Sequence, residues 1–142
     1  ILQNAGFALA VITNQSGIAH GLYTLEDMHA LHDYMRQQLA EAGVRIDAVA
    51  FCPHHRTGDC DCRKPKTGMA KQIEATIEAI DYQSSWTIGD KTADLGFGKT
   101  LGTHTALIRS EYWNEGELTE KPDIIVHSLY DASLAIQKDF NH

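Results

Sequence analysis

Apolar residues recur along the chain with two alternating patterns. Phe7 to Ile12 is an unbroken apolar run, as expected of a strand buried on both faces. From Thr24 the spacing becomes helical: Leu25, Met28, Leu31, Met35, Leu39 and Ala42 recur at three- and four-residue intervals, and Gly43 ends the series. Thr24 with Asp27 three residues on forms a capping-box pattern at its start. Asp47 to Phe51 reads as a second strand and Gly68 to Ile80 as a second helix. Trp86-Thr87-Ile88 is a third strand, followed by a helix over Thr92 to Leu101. Strands over Thr105 to Ile108 and Asp123 to Val126 and a helix over Leu129 to Lys138 complete the series. Strand and helix thus alternate, which predicts one α/β domain over 1–142 with a parallel sheet between helical layers.

Two segments stand outside that alternation. Ile1 to Gly6 reads as the last turn of a helix closed by Gly6 in the left-handed conformation. A chain that opens inside a helix, without an initiator Met, is expected to be part of a longer product. Gly116 to Pro122 reads as an exposed loop.

Composition narrows the class. The 142 residues are 43% hydrophobic and 22% charged, ordinary for a globular protein. No apolar run approaches the ~20 residues that cross a bilayer, so no membrane is expected as a partner. No signal peptide opens the chain, and a cytoplasmic location is expected. Twelve Lys and Arg stand against 19 Asp and Glu, a net charge of −7. That background repels phosphate backbones and argues against nucleic acid as a partner. Arg63-Lys64-Pro65-Lys66 is its one dense basic cluster.

All three cysteines fall in one short stretch, Cys52-Pro53-His54 and then Cys60-Asp61-Cys62. An odd count within one loop does not make a disulfide framework. Three thiolates and one imidazole instead make a closed tetrahedral set for zinc, with no position left for water. Cys52, His54, Cys60 and Cys62 are therefore the expected ligands of a structural zinc, with His55 as the alternative imidazole. The metal would stiffen loop 52–62, which has no core of its own.

Three further features sit where the elements place ligands. Thr13-Asn14-Gln15-Ser16-Gly17 follows the first strand, and the carboxyl ends of strands are where open α/β sheets bind ligands. Its hydroxyl and backbone N–H groups can hold phosphoryl oxygens, although a polar turn alone would read the same way. Arg63 and Lys64, next to the metal loop, could neutralise phosphate, the first as a fork and the second as a point charge. They also fit a solvated basic pair. Gly89-Asp90-Lys91 with Asp94 puts two carboxylates after the third strand, suited to Mg²⁺, with Asp90 the direct ligand and Asp94 in support. A helix-capping aspartate is the alternative for either.

In this order the features resemble the haloacid dehalogenase (HAD) superfamily. Thr13-Asn14 looks like its second motif, Lys64 its third, and Gly89-Asp90 with Asp94 its fourth. T-N-Q-S-G-I-A-x-G, C-P-H, C-D-C-R-K-P, G-M and G-D-K together resemble the zinc-containing branch. That branch holds heptose 1,7-bisphosphate phosphatases and histidinol-phosphate phosphatases. The resemblance spans about Gly6 to Val126 and favours the heptose group through Ser16-Gly17-Ile18-Ala19 with Gly21 and Pro65-x-x-Gly68-Met69. It implies a Rossmann-like α/β/α fold and a monomeric, Mg²⁺-dependent phosphomonoester hydrolase. The implied substrate is a phosphorylated sugar, a lipopolysaccharide heptose precursor, or else an amino-alcohol phosphate.

It further implies catalytic roles for Thr13 and Lys64 and substrate contacts for Thr13, Asn14, Arg63, Lys64 and Lys91. The family's attacking carboxylate and its general acid lie on a D-x-D motif in a strand preceding Phe7 to Ile12. No D-x-D follows an apolar strand here, since Asp59-Cys60-Asp61 lies inside the metal loop. The central strand of the sheet is therefore expected to be missing, and this polypeptide alone is expected to lack turnover. A zinc-stabilised module that binds phosphate without catalysis is the remaining alternative.

Overall fold

The computed structural model describes residues 1–111 and 118–140. β1 (Ala10–Asn14) leads through a long turn to α1 (Leu25–Glu41), and β2 (Ala48–Cys52) precedes the metal loop. α2 (Gly68–Glu74), β3 (Trp86–Gly89), α3 (Thr92–Leu101), β4 (His104–Ile108), β5 (Ile124–Val126) and α4 (Leu129–Phe140) follow. Every strand pair is parallel, as the alternation requires. The ladder is interrupted, however: β1 pairs β2, and β3, β4 and β5 form a second sheet, with no pairing between β1 and β3 among the described residues.

Helices cover both faces. β2 alternates, with Ala48, Ala50 and Cys52 buried, and Ala50 and Cys52 join Met69 and Ala70 of α2 and Phe97 of α3 in one apolar cluster. Ile12 of β1 packs against the same cluster, so α2 and α3 share a layer that spans both sheets. Phe51 points the other way and meets the ring of His29 on α1, edge to face at 5.6 Å. In β4, Leu107 packs with Leu95 of α3, leaving Ala106 for the opposite face. The result is the expected three-layer α/β/α arrangement.

The predicted elements are all present, with shifted ends. β1 starts three residues late, because Phe7 turns away to meet Phe140 of α4, the rings tilted by 57° with centroids 5.1 Å apart. Leu9 makes the approach: its N–H donates to the Asp47 carboxylate at 2.8 Å and its carbonyl accepts from the Asp47 N–H at 2.7 Å. α2 ends at Glu74 rather than Ile80, and the following turns close on Ala79, whose φ of 52° is a left-handed conformation. Nothing in Ile73-Glu74-Ala75-Thr76-Ile77-Glu78-Ala79 announces that stop. The expected helix turn at the start is there, with Phe7 N–H bonded to the Leu2 carbonyl at 3.1 Å and Gly6 at φ 94°.

Two expectations need correction. Leu31 was placed on the apolar stripe of α1 but is 60% exposed, and Met28 alone of that stripe is fully buried. Gly116 and its neighbour 117 lie outside the described residues, but the rest of the expected exposed loop is not all exposed. Leu118 packs on Leu95 and Leu107, and Pro122 is buried.

α1 carries the predicted capping box: Thr24 Oγ1 accepts from Asp27 N–H at 3.1 Å, and Asp27 Oδ2 accepts from Thr24 N–H at 2.8 Å. The Thr24 backbone N–H, then its side chain, hold the Asp27 carboxyl below its ordinary range. A depressed carboxyl contributes stability above its unfolded pKa and loses it as pH falls through the folded value. Thr24→Ala should therefore lower the thermal midpoint by about 3 °C at neutral pH. The difference from wild type should shrink as pH falls through the lowered Asp27 range and the carboxylate protonates, and a pH series of melting curves checks it.

Candidate active site and metal loop

The carboxyl ends of β1, β2 and β3 assemble the site. β2 ends in Cys52, which is fully buried in the cluster under α2. The loop beyond it returns so that Cys52, His54, Cys60 and Cys62 bring their ligand atoms within 4.8 Å of one another. Cys52 and Cys60 sulfurs stand 3.7 Å apart, Cys52 Sγ and His54 Nδ1 3.5 Å, and His54 Nδ1 and Cys62 Sγ 3.1 Å. Four donors so placed could hold a metal ion. The His54 ring takes part, while His55 turns aside to meet His20 edge to face at 4.5 Å. The thiols are electrostatically unequal. The Arg63 backbone N–H leads in pulling Cys60 down to about 7, and burial leads in pushing Cys62 up to about 12. A shared cation would remove that inequality by holding all three as thiolates.

The loop delivers Arg63 and Lys64 directly after Cys62. Asn14 fixes the backbone there: its Oδ1 accepts from Lys64 N–H at 3.0 Å and its Nδ2 donates to the Lys64 carbonyl at 3.4 Å. Lys64 then extends its ammonium between the two sheets. Nζ donates to the Ile12 carbonyl at 3.2 Å and to Asp94 Oδ1 at 2.6 Å. Gln15 N–H bonds the Cys52 carbonyl, so odd residues of β1 face β2, and the Ile12 carbonyl lies on the opposite, unpaired edge.

Asp94, 7% exposed, holds both ends of this arrangement. Its second oxygen accepts from Lys91 N–H at 3.0 Å and so caps α3. A Cβ at Gly89, the last residue of β3, would overlap the Asp94 carboxylate, so only glycine lets the helix start this close to the strand end. An ammonium has three protons, and two are used by Ile12 and Asp94. Asp90 follows Gly89; its carboxylate takes no hydrogen bond from the described residues, while its carbonyl accepts from Ser110 Oγ at 3.4 Å.

Arg63 is anchored differently. Its Nη1 is buried with no hydrogen-bond partner among the described residues. An orphaned guanidinium nitrogen is costly, and an anion is the natural partner for it.

The structure thus brings Thr13, Asn14, Lys64, Asp90 and Asp94 to one edge of the sheets, with the metal loop beside them. Asn14 spends its amide on the Lys64 backbone, and Asp94 engages Lys64 and the helix start. Asp59 and Asp61 flank Cys60 in the metal loop and are exposed. Gln15 was part of the sequence motif without a role. It donates from Nε2 to Thr13 Oγ1 at 3.0 Å and accepts from the Tyr23 hydroxyl. A long side chain two residues past a site hydroxyl was the available signal. A separate open groove of about 780 Å³, lined by Pro65, Lys66, Lys71, Gly96 and Glu120 among others, contains none of the predicted ligands. No helix among the described residues is long and apolar enough to cross a membrane.

Comparisons with known proteins place the fold in a family. The HAD-hydrolase-like family model matches residues 61–132, which run from the metal loop into α4. A D-glycero-β-D-manno-heptose-1,7-bisphosphate 7-phosphatase of Yersinia pestis is 37% identical over 145 residues, covering 96% of this chain and 76% of that protein. The enzyme of the same name from Pseudomonas putida is 38% identical over 139 residues, covering 97% and 77%. The crystal structure of D,D-heptose 1,7-bisphosphate phosphatase from B. bronchiseptica, complexed with magnesium and phosphate, superposes with a TM-score of 0.85. It is 29% identical, and the match covers 97% of this chain and 78% of that one. With the parallel α/β/α fold, the lysine between the sheets and these relatives in agreement, the chain belongs to the HAD-like hydrolases, in the branch of the heptose 1,7-bisphosphate phosphatases.

Proposed function

We propose that this chain serves the hydrolysis of a phosphate monoester of a phosphorylated sugar, D-glycero-D-manno-heptose 1,7-bisphosphate, at C7. One observation carries the reading: the Lys64 ammonium is fixed by Ile12 and Asp94 at the strand ends, with one proton left for a ligand. In that position it would neutralise a phosphoryl oxygen without having to reorganise, and the Thr13 hydroxyl, on the neighbouring residue of β1, would bond a second. The unpartnered Arg63 nitrogen supports a second anion nearby, which favours a bisphosphate over the singly phosphorylated histidinol phosphate. Lys91, exposed at the start of α3, would extend the same rim, and Asn14 would act through Lys64.

Asp90 would hold Mg²⁺, with Asp94 in support; when bound, the ion neutralises charge on the phosphoryl group. The metal loop would hold zinc. A tetrahedral site with Zn–S of about 2.3 Å and Zn–N of about 2.0 Å has S···S edges of about 3.8 Å and S···N edges of about 3.5 Å. The 3.7 Å and 3.5 Å separations of Cys52 from Cys60 and His54 fit those edges, and the 3.1 Å from His54 to Cys62 would open slightly. With all four positions taken by protein, that ion would be structural.

Attack on phosphorus needs a carboxylate beside Lys64 and Thr13, and residues 1–142 offer no D-x-D after a strand. The proposal is that 1–142 binds phosphate without turnover. The experiment compares phosphate release from heptose 1,7-bisphosphate, and from histidinol phosphate, with Mg²⁺, by this chain and by one with a D-x-D strand joined ahead of Ile1. Release from the heptose ester by the longer chain alone is the expected result. Preference for histidinol phosphate would move the substrate assignment, and turnover by 1–142 itself would overturn the division of labour.

A further inference from the structure

We infer that Gln15 and Tyr23 form a hydrogen-bond relay that aims the Thr13 hydroxyl proton at the bound phosphoryl group, making both positioning residues for phosphate. The inference rests on the phosphate site proposed above. A threonine hydroxyl can donate in only one direction, and which direction depends on who donates to it. Here the Tyr23 hydroxyl donates to Gln15 Oε1, which leaves the other end of the carboxamide, Nε2, to donate to Thr13 Oγ1 at 3.0 Å. With that lone pair occupied, the Thr13 proton must point elsewhere, and it becomes a donor for an anion. Without Gln15, Thr13 could turn its proton inward and present lone pairs to phosphate.

The relay is anchored at both ends. Gln15 N–H donates to the Cys52 carbonyl at 2.7 Å, which continues the β1–β2 ladder by one residue and fixes the side chain's origin. Tyr23 lies beyond a turn in which Leu22 N–H bonds the Gly17 carbonyl at 2.9 Å. Its ring lies against Gly17 so closely that a Cβ there would overlap it, so glycine is the residue that admits the ring. The tyrosine is partly buried, as a group bonded within the fold should be.

The test uses this chain with inorganic phosphate and Mg²⁺, read by ³¹P line broadening, which reports millimolar binding. Gln15→Met should weaken phosphate by about tenfold and Tyr23→Phe by about threefold, with little change in thermal midpoint. The same two substitutions should have no further effect on a Thr13→Val background, since their influence passes through the hydroxyl. Losses that persist on that background would mean a merely structural role and would overturn the relay. So would wild-type affinity in both single variants. A wild-type chain that takes no phosphate would instead sink the phosphate site itself, and the relay with it.

Discussion

Lys64→Met is expected to weaken phosphate binding at least about 100-fold and to lower the thermal midpoint by about 10 °C. Both effects come from one ammonium. Lys64 and Asp94 side chains are 13% and 9% exposed, so the pair is largely shielded from water. Removing one member of such a pair leaves a buried charge and typically costs about 3–5 kcal/mol, a large part of a domain's roughly 5–15 kcal/mol. The substitution also releases the Ile12 carbonyl on the open edge of β1. Lys64→Met combined with Asp94→Asn separates the two effects. The asparagine keeps an oxygen for the Lys91 N–H but carries no charge, so most of the stability should return while phosphate binding does not. Melting curves and ³¹P titrations on the single and double variants check this. A Lys64→Met chain that still binds phosphate normally would remove the observation on which the functional reading stands.

Removal of the proposed zinc from the loop is expected to give the second large effect. Zinc bound at four protein ligands contributes directly to folding, about 10–16 kcal/mol in isolated zinc-finger peptides, part of it consumed in ordering the loop. Cys60 and Cys62 pack on the Ala50–Met69–Phe97 cluster, so the loop is joined to the core rather than hung outside it. Treatment with a strong chelator should lower the midpoint by at least about 10 °C and re-addition of zinc should restore it. Because Asn14 and the backbone of Lys64 are positioned from the same loop, phosphate affinity should fall with the metal. Elemental analysis should find one zinc per chain. A metal-free chain with an unchanged midpoint would end the structural-zinc reading.

How far the sequence could be read depended on whether the signal was local. The four expected metal ligands fall within eleven positions, and that set, with His54 rather than His55, is the one whose ligand atoms are brought together. Elements with caps or short apolar runs were legible: α3 has the expected ends, and the Thr24–Asp27 box opens α1. The misses required tertiary knowledge. Phe7 is apolar because it meets Phe140, 133 positions away, and hydrophobicity alone cannot separate that contact from strand pairing. α2 stops at Glu74 with no breaker in sequence, and the turns beyond it close on Ala79 in a left-handed conformation that sequence reading assigns to glycine. Leu31 keeps helical period without a neighbour to bury it. The partner of Asn14 was equally out of sequence reach: its amide is engaged by a backbone 50 residues on.

The second carboxamide clamp in the molecule has a different consequence. Gln72 of α2 accepts from the Phe51 N–H at 3.1 Å and donates to the Phe51 carbonyl at 3.0 Å. Odd residues of β2 face away from β1, so these Phe51 groups lie near the carboxyl end of an outer strand edge. An uncovered edge is a template on which another molecule's strand can dock and begin aggregation. One glutamine side chain, by imitating a peptide group, occupies that template and keeps β2 from growing a neighbour.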